Sequence, residues 1–264
     1  MACMMTVRFV PGCSCVHMRE LAGHDERAVT GASTADALAL LDGLLLPGDG
    51  GAGRLGADDL TAADRDRLLV AIYQRTFGDR IENTIDCQGC GQPFDIDFSL
   101  QAVVDSLEKN GAQPRVKALG GNRFETETGV RFQVPTGRDE RSIAALDPSG
   151  AEAALLRCCL PEDSAAASAA AVEELLAEIA PLVELELQAR CPECGHSHAL
   201  EFDIQNYLLQ ALMGEQKRLI WEIHRLAATY GWSLGETLSL SRRERRNFVE
   251  LIENEKMQSQ RILS

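Results

Sequence analysis

Cys87-Gln88-Gly89-Cys90-Gly91 and, about a hundred residues later, Cys191-Pro192-Glu193-Cys194-Gly195 are the stretches whose reading decides the fold. A CxxC turn places two sulfurs side by side with backbone amides pointing at them. The glycine that follows each pair permits the positive φ such a turn needs. One knuckle supplies half of the tetrahedral thiolate set that a structural zinc takes. Joining Cys87 and Cys90 to Cys191 and Cys194 completes it, so the spacing predicts one structural zinc. Closing a loop of about a hundred residues costs ~4 kcal/mol plus a constant. A structural zinc returns roughly 10–16 kcal/mol in apparent terms.

The flanks support the pairing. Residues 81–85 lead into the first knuckle, and Phe94-Asp95-Ile96-Asp97-Phe98 follows with the alternation of a half-buried strand. Residues 183–188 lead into the second, and Leu200-Glu201-Phe202-Asp203-Ile204 alternates in turn. The unit strand–CxxCG–strand therefore occurs twice. Aligned on these alternations, the second copy carries a two-residue insertion after its glycine. The expected architecture is α+β: a split four-cysteine zinc ribbon over 81–100 and 183–204, an N-terminal strand and helix region over 1–80, an inserted hairpin and helix region over 101–182, and a helical C-terminal part over 205–264.

Outside the ribbon, residues 6–10 and 14–18 read as a strand pair around Pro11-Gly12, and 33–46 as a helix with Ser33 as N-cap and Pro47-Gly48 as its stop. Residues 49–56 form a glycine-rich loop. Thr61-Ala62-Ala63-Asp64 is a capping box opening a helix over 62–77, with Gly78 at its end. Within the insertion, a hairpin is expected over 123–126 and 130–134, then helices over 139–146, 151–160 and the Ala-rich 164–180. A C-terminal helix is weakened at Gly214 and ends at Gly231. Ser233/Glu236 and Ser241/Glu244 cap two more, the last through about 254.

The 264 residues carry 40 acidic and 26 basic side chains, a net charge of −14, so nucleic acid and anionic membranes are not expected partners. No apolar run is long enough to span a bilayer. The N-terminus has no secretory pattern, which predicts a cytoplasmic protein with reduced thiols. Other readings of the knuckles are a redox pair, a separate site using His196 and His198, and a cluster without metal. Neither knuckle opens a helix after a strand as thioredoxin-like chemistry requires. Cys13, Cys15, Cys158 and Cys159 read as small apolar side chains, Cys3 has no assigned role, His224 reads as a packed or polar-rim histidine, and His17 and His24 lack partners at metal spacing. There is no phosphate-binding loop, dinucleotide fingerprint, HExxH or nucleophile elbow, and a closed four-thiolate sphere has no place for a reacting water. No catalytic residue, small-molecule substrate or enzymatic activity is expected. Arg242, Arg243, Arg245 and Arg246 form the one basic cluster. It supports an alternative reading as a zinc-ribbon nucleic-acid-binding regulator with a basic recognition helix.

Three blocks carry a resemblance. Glu222-Ile-His-Arg-Leu-Ala-Ala-Thr-Tyr-Gly-Trp232, Ser233-Leu-Gly-Glu236 and Leu240-Ser-Arg-Arg-Glu-Arg-Arg246 form the last. Arg19-Glu-Leu-Ala-Gly-His-Asp-Glu26 and the capped helix over 60–79 come before it. Together they resemble the baseplate (hub) assembly protein family of T-even-like contractile phage tails and phage-like contractile injection systems, over about half the chain. Bacterial relatives often have a CxxCG pair after that helix; here Gln88 stands where proline is common, and the N-terminal cysteines are additional. The resemblance implies a non-enzymatic assembly or structural component that binds other baseplate or tail proteins. The candidate partner-binding residues are Trp221, Tyr230, Trp232, Arg242, Arg243, Arg246 and Phe248, since aromatics and arginines dominate interface hot spots.

Overall fold

The computed structural model of the chain describes residues 3–47, 55–110, 116–160 and 167–263. Most of the expected glycine-rich loop, and the start of the Ala-rich helix at 164–166, lie outside them. A short hairpin, β1 (Cys3–Thr6) and β2 (Cys15–Met18), comes first. The first strand thus lies earlier than expected: Val7, Phe9 and Val10 instead turn inward as buried side chains. Helices α1 (Gly23–Ala28) and α2 (Thr34–Leu44) follow, the latter capped by Ser33 as expected.

Helix α3 (Ala62–Phe77) is the post around which the rest is arranged, with ten buried residues. Thr61 Oγ1 accepts the Asp64 amide, but the Asp64 carboxylate does not return to the cap. It accepts the amides of Arg8 and Phe9 at 2.8 and 2.9 Å instead. Arg65 pairs with Glu140 in the insertion. The Asp66 carboxylate accepts the Val183 amide at 2.9 Å, where the second ribbon segment begins. Three consecutive charged side chains on one helix therefore hold three distant segments.

Next come β3 (Arg80–Asp86), β4 (Pro93–Ser99) and a helix the sequence reading missed, α4 (Leu100–Asn110). The insertion contains a three-stranded antiparallel sheet, β5 (Val116–Gly120), β6 (Arg123–Thr126) and β7 (Arg131–Gln133), with the predicted hairpin at β6–β7. Helices α5 (Gly137–Ile143), α6 (Pro148–Cys159) and α7 (Ala167–Ile179) cover it. Its core is separate, built from Phe124, Phe132, Val134, Cys159 and Val172, with Phe9 and Ala63 from outside the insertion.

The chain then forms β8 (Glu184–Arg190), β9 (Ser197–Asp203), α8 (Ile204–Gly214) and α9 (Gln216–Tyr230), dividing after Gly214. Gly231 closes α9 in the left-handed conformation at φ 69°. Two capped helices, α10 (Leu234–Ser239) and α11 (Arg242–Leu263), end the chain, the last running beyond its expected limit. The main core joins the N-terminal hairpin, α2, α3 and α8 to the bases of both ribbon hairpins through Ile81, Leu100, Phe202 and Ile204.

The repeat is more regular than the sequence alignment gave. β3, β4 and α4 match β8, β9 and α8 in length, at the same offset that separates Cys87 from Cys191. The expected two-residue insertion does not exist: Phe98 corresponds to Phe202, Phe94 to His198 and Leu100 to Ile204. Even the joints agree, since the Leu100 amide donates to Asp79 O and the Ile204 amide to Val183 O.

Candidate metal centre

The two hairpins are separate two-stranded antiparallel sheets that meet at their tips. In the first knuckle the Cys87 amide donates to Gln92 O at 2.9 Å and the Gly91 amide to Cys87 O at 2.7 Å. In the second, the Cys191 amide donates to His196 O and the Gly195 amide to Cys191 O, both at 2.9 Å. Gly91 and Gly195 share φ 73°, the left-handed conformation that the sequence reading assigned to them.

The four sulfurs all lie within 4.8 Å of one another. The closest pairs cross between the knuckles, Cys87 to Cys194 at 3.6 Å and Cys90 to Cys191 at 3.8 Å. A disulfide needs about 2.05 Å. A tetrahedron with metal–sulfur bonds of ~2.3 Å has edges of about 3.8 Å. The donor set therefore fits a tetrahedral metal ion, and an ion held there ties the first hairpin to the second.

The first cysteine of each knuckle is buried and the second exposed. The Gly89 amide donates to Cys87 Sγ at 3.3 Å, and His198 Nε2 lies 3.4 Å from the same sulfur. His198 is buried, its ring 5.4 Å from that of Phe94. It serves as a hydrogen-bonding neighbour to a ligand rather than as a member of a separate site. Sequence spacing alone did not reveal this role; the 3.4 Å approach of the ring nitrogen to Cys87 Sγ does.

Burial raises the Cys87 thiol, but donation from the Cys90 amide, the His198 ring and the Gly89 amide outweighs it and brings the group down to about 5. Cys90 moves the other way, to about 12: the Gln92 amide favours its thiolate, but local loss of water and the neighbouring sulfurs of Cys194, Cys87 and Cys191 oppose it more strongly. Metal capture at neutral pH must therefore release protons, and affinity rises with pH.

Rings connect the ribbon to the core. Phe98 and Phe202, from opposite hairpins, meet edge to face at 5.1 Å, and Tyr207 and Tyr73 continue the series to α3. Gly89 allows the knuckles to approach, since a Cβ there would lie 3.1 Å from His196 Cβ.

The C-terminal candidates are distributed differently from expectation. Trp221 and Tyr230 are exposed, and Arg243 stands on the surface. Trp232 and Phe248 are half-buried, meeting edge to face at 5.0 Å against Leu226, Val249 and Ile252. Arg246 is half-buried and pairs with Glu215 and Glu222. Arg242 is buried, pairs with Glu215 at 2.5 Å and lies over the Phe77 ring at 4.6 Å. Arg245 is fully buried between Glu26 and Glu222. The basic face required of a recognition helix is thus largely turned inward, because these guanidiniums neutralise carboxylates that α1 and α9 bring into the core. Of the remaining cysteines, Cys159 is buried in the insertion's core, and Cys3, Cys13, Cys15 and Cys158 are partly exposed.

Among the described residues no helix is long and apolar enough to cross a membrane. Comparison of the chain with protein-family models, curated proteins and solved structures gives no match.

Proposed function

We propose that the protein is a non-enzymatic assembly or structural component of a contractile phage-tail or injection-system baseplate. In this reading it holds one structural zinc on Cys87, Cys90, Cys191 and Cys194 and works in the host cytoplasm by binding other baseplate subunits, either to build the tail or as part of it. The observation that carries the reading is the closed set of four sulfurs. Four protein ligands leave a tetrahedral ion no position for substrate or water, so the ion's work is to join two hairpins. Zinc and iron both accept such a set; zinc matches a role without redox change.

The arrangement of the resembling blocks gives further support. Glu26 from the first, Phe77 from the second, and Glu222, Arg242 and Arg245 from the third meet in one buried cluster. Segments far apart in sequence are thus a single structural unit. The exposed Trp221 and Ile220, 45 % and 66 % accessible, offer an apolar contact on α9 for a partner subunit.

Metal content of untagged protein, measured by mass spectrometry beside Cys87→Ser/Cys191→Ser, tests the site: one zinc per chain, lost in the variant, is expected. Electron microscopy of lysates from cells lacking the gene tests the role. Loss of sheathed tails, restored by the wild-type gene and not by Trp221→Asp, is expected; normal tails without the gene would refute the assignment.

A further inference from the structure

A cavity of about 490 Å³ opens between the β1–β2 hairpin, the last turns of α3 and the first turns of α11. That is the size of a small-ligand site, roughly 300–1,000 Å³. Its floor is apolar, formed by the buried side chains of Met18, Leu21, Leu44 and Ile72. Its polar wall carries five guanidiniums, Arg19, Arg75, Arg242, Arg243 and Arg246, against the single carboxylate of Glu20. In a chain of net charge −14 this reverses the sign of the whole.

The charge is only partly neutralised from within. Asp25 takes both terminal nitrogens of Arg19, at 2.6 and 2.7 Å. Arg246 lies 3.4 Å from Glu215 and 3.7 Å from Glu222. Arg75 and Arg243 have no carboxylate partner among the described residues. Arg242 supplies an independent observation. Its side chain is only 8 % exposed; its Nη2 pairs with Glu215 at 2.5 Å, but its Nη1 stands 3.7 Å from Glu26, and neither Nη1 nor Nε has a hydrogen-bond acceptor. Buried donors left without an acceptor are costly, and here they belong to a residue that lines an open cavity. Burial, and then the neighbouring Arg246, hold the Arg242 guanidinium below its ordinary value, an imbalance that a further anion relieves.

We infer that this cavity binds a carboxylate or phosphate group carried on a short apolar body. Arg75, Arg242 and Arg243 take the anion, and Met18, Leu21 and Ile72 receive the apolar part. The site is separate from the metal centre and does not depend on the assembly role. A free amphiphile and the terminal carboxylate of a partner's chain share this chemistry.

Calorimetric titration of the full metal-loaded chain with octanoate, octyl phosphate and octanol tests the inference. A parallel pair is acetyl-Ala-Leu-Leu with a free carboxylate and the same peptide as its amide. Anionic probes are expected to bind, more weakly as salt rises, with octanol and the amide at least tenfold weaker. Arg75→Ala and Arg243→Ala are each expected to loosen the anionic probes by about tenfold or more, without shifting the unfolding midpoint of the free protein, because both side chains are exposed. Tighter binding of the peptide acid identifies a chain terminus as the source, and tighter binding of octanoate or octyl phosphate a free amphiphile. Octanol binding as well as octanoate, no binding of any anion, or unchanged affinity in both variants would overturn the inference.

Discussion

Replacing Arg245 with alanine removes the most deeply buried charge of the C-terminal unit. Its side chain is 0 % exposed and makes three hydrogen bonds: Nε to Glu222 at 3.0 Å, Nη2 to Glu26 at 2.6 Å and Nη1 to Leu240 O at 2.8 Å. Truncation leaves two buried carboxylates with reduced compensation and a cavity where the guanidinium lay. Breaking a buried pair from one side costs roughly 3–5 kcal/mol. The lower end applies here, because Arg242 stays 3.7 Å from Glu26, and Arg218 and Arg246 stay 3.5 and 3.7 Å from Glu222. A loss of about 3 kcal/mol is expected. Urea unfolding followed by tryptophan fluorescence is well placed to read it, since both tryptophans, Trp221 and Trp232, lie in this unit. Far-UV circular dichroism in parallel tests whether the transition is two-state. Glu26→Gln, alone and combined with Arg245→Ala, closes a double-mutant cycle with an expected coupling of about 1–3 kcal/mol. A loss below about 1 kcal/mol, or strict additivity, would refute the view that this ion cluster fixes the C-terminal helices to α1.

His198→Phe keeps a ring against Phe94 but removes the donor to Cys87, so the ribbon is expected to fold while metal affinity falls roughly 10–100-fold; competition with a chromophoric chelator measures it, and unchanged affinity would deny the hydrogen bond any role. Gly89→Ala places a Cβ 3.1 Å from His196 and 3.4 Å from Cys194 Sγ, and about 1–3 kcal/mol of overpacking is expected to weaken the ion by tenfold or more in the same titration. Asp66→Asn addresses pH: burial, opposed by the Val183 amide, pushes Asp66 from 3.8 up to about 7. The native chain thus keeps a proton that the unfolded chain releases, so this group's contribution is full below about 4 and is lost as pH rises through about 7. Asparagine still accepts the Val183 amide, and the variant is expected to gain stability relative to wild type across that window; parallel stability–pH curves would contradict it.

The cysteine pairing was legible because thiolates at CxxCG spacing admit few arrangements, and the caps at Ser33, Ser233 and Ser241 were legible because a capping box is local. Features that depend on distant partners were not. Asp64 looked like a cap and serves the amides of Arg8 and Phe9; Arg245 looked like one member of a basic recognition cluster and is buried between Glu26 and Glu222. The first strand was misplaced because the apolar alternation of residues 6–10 suits inward-facing coil as well as a strand. The repeat was aligned on the wrong alternation because Phe94 has a histidine as its counterpart, and hydrophobicity alone does not equate the two.

The division of the ribbon also has a consequence in time. Synthesis at about 5–20 residues per second separates the emergence of the two knuckles by roughly 5–20 s. Through that interval Cys87 and Cys90 exist as half a site on the nascent chain, open to oxidants and to loosely bound ions. Only when Cys191 and Cys194 arrive can an ion be met by all four sulfurs.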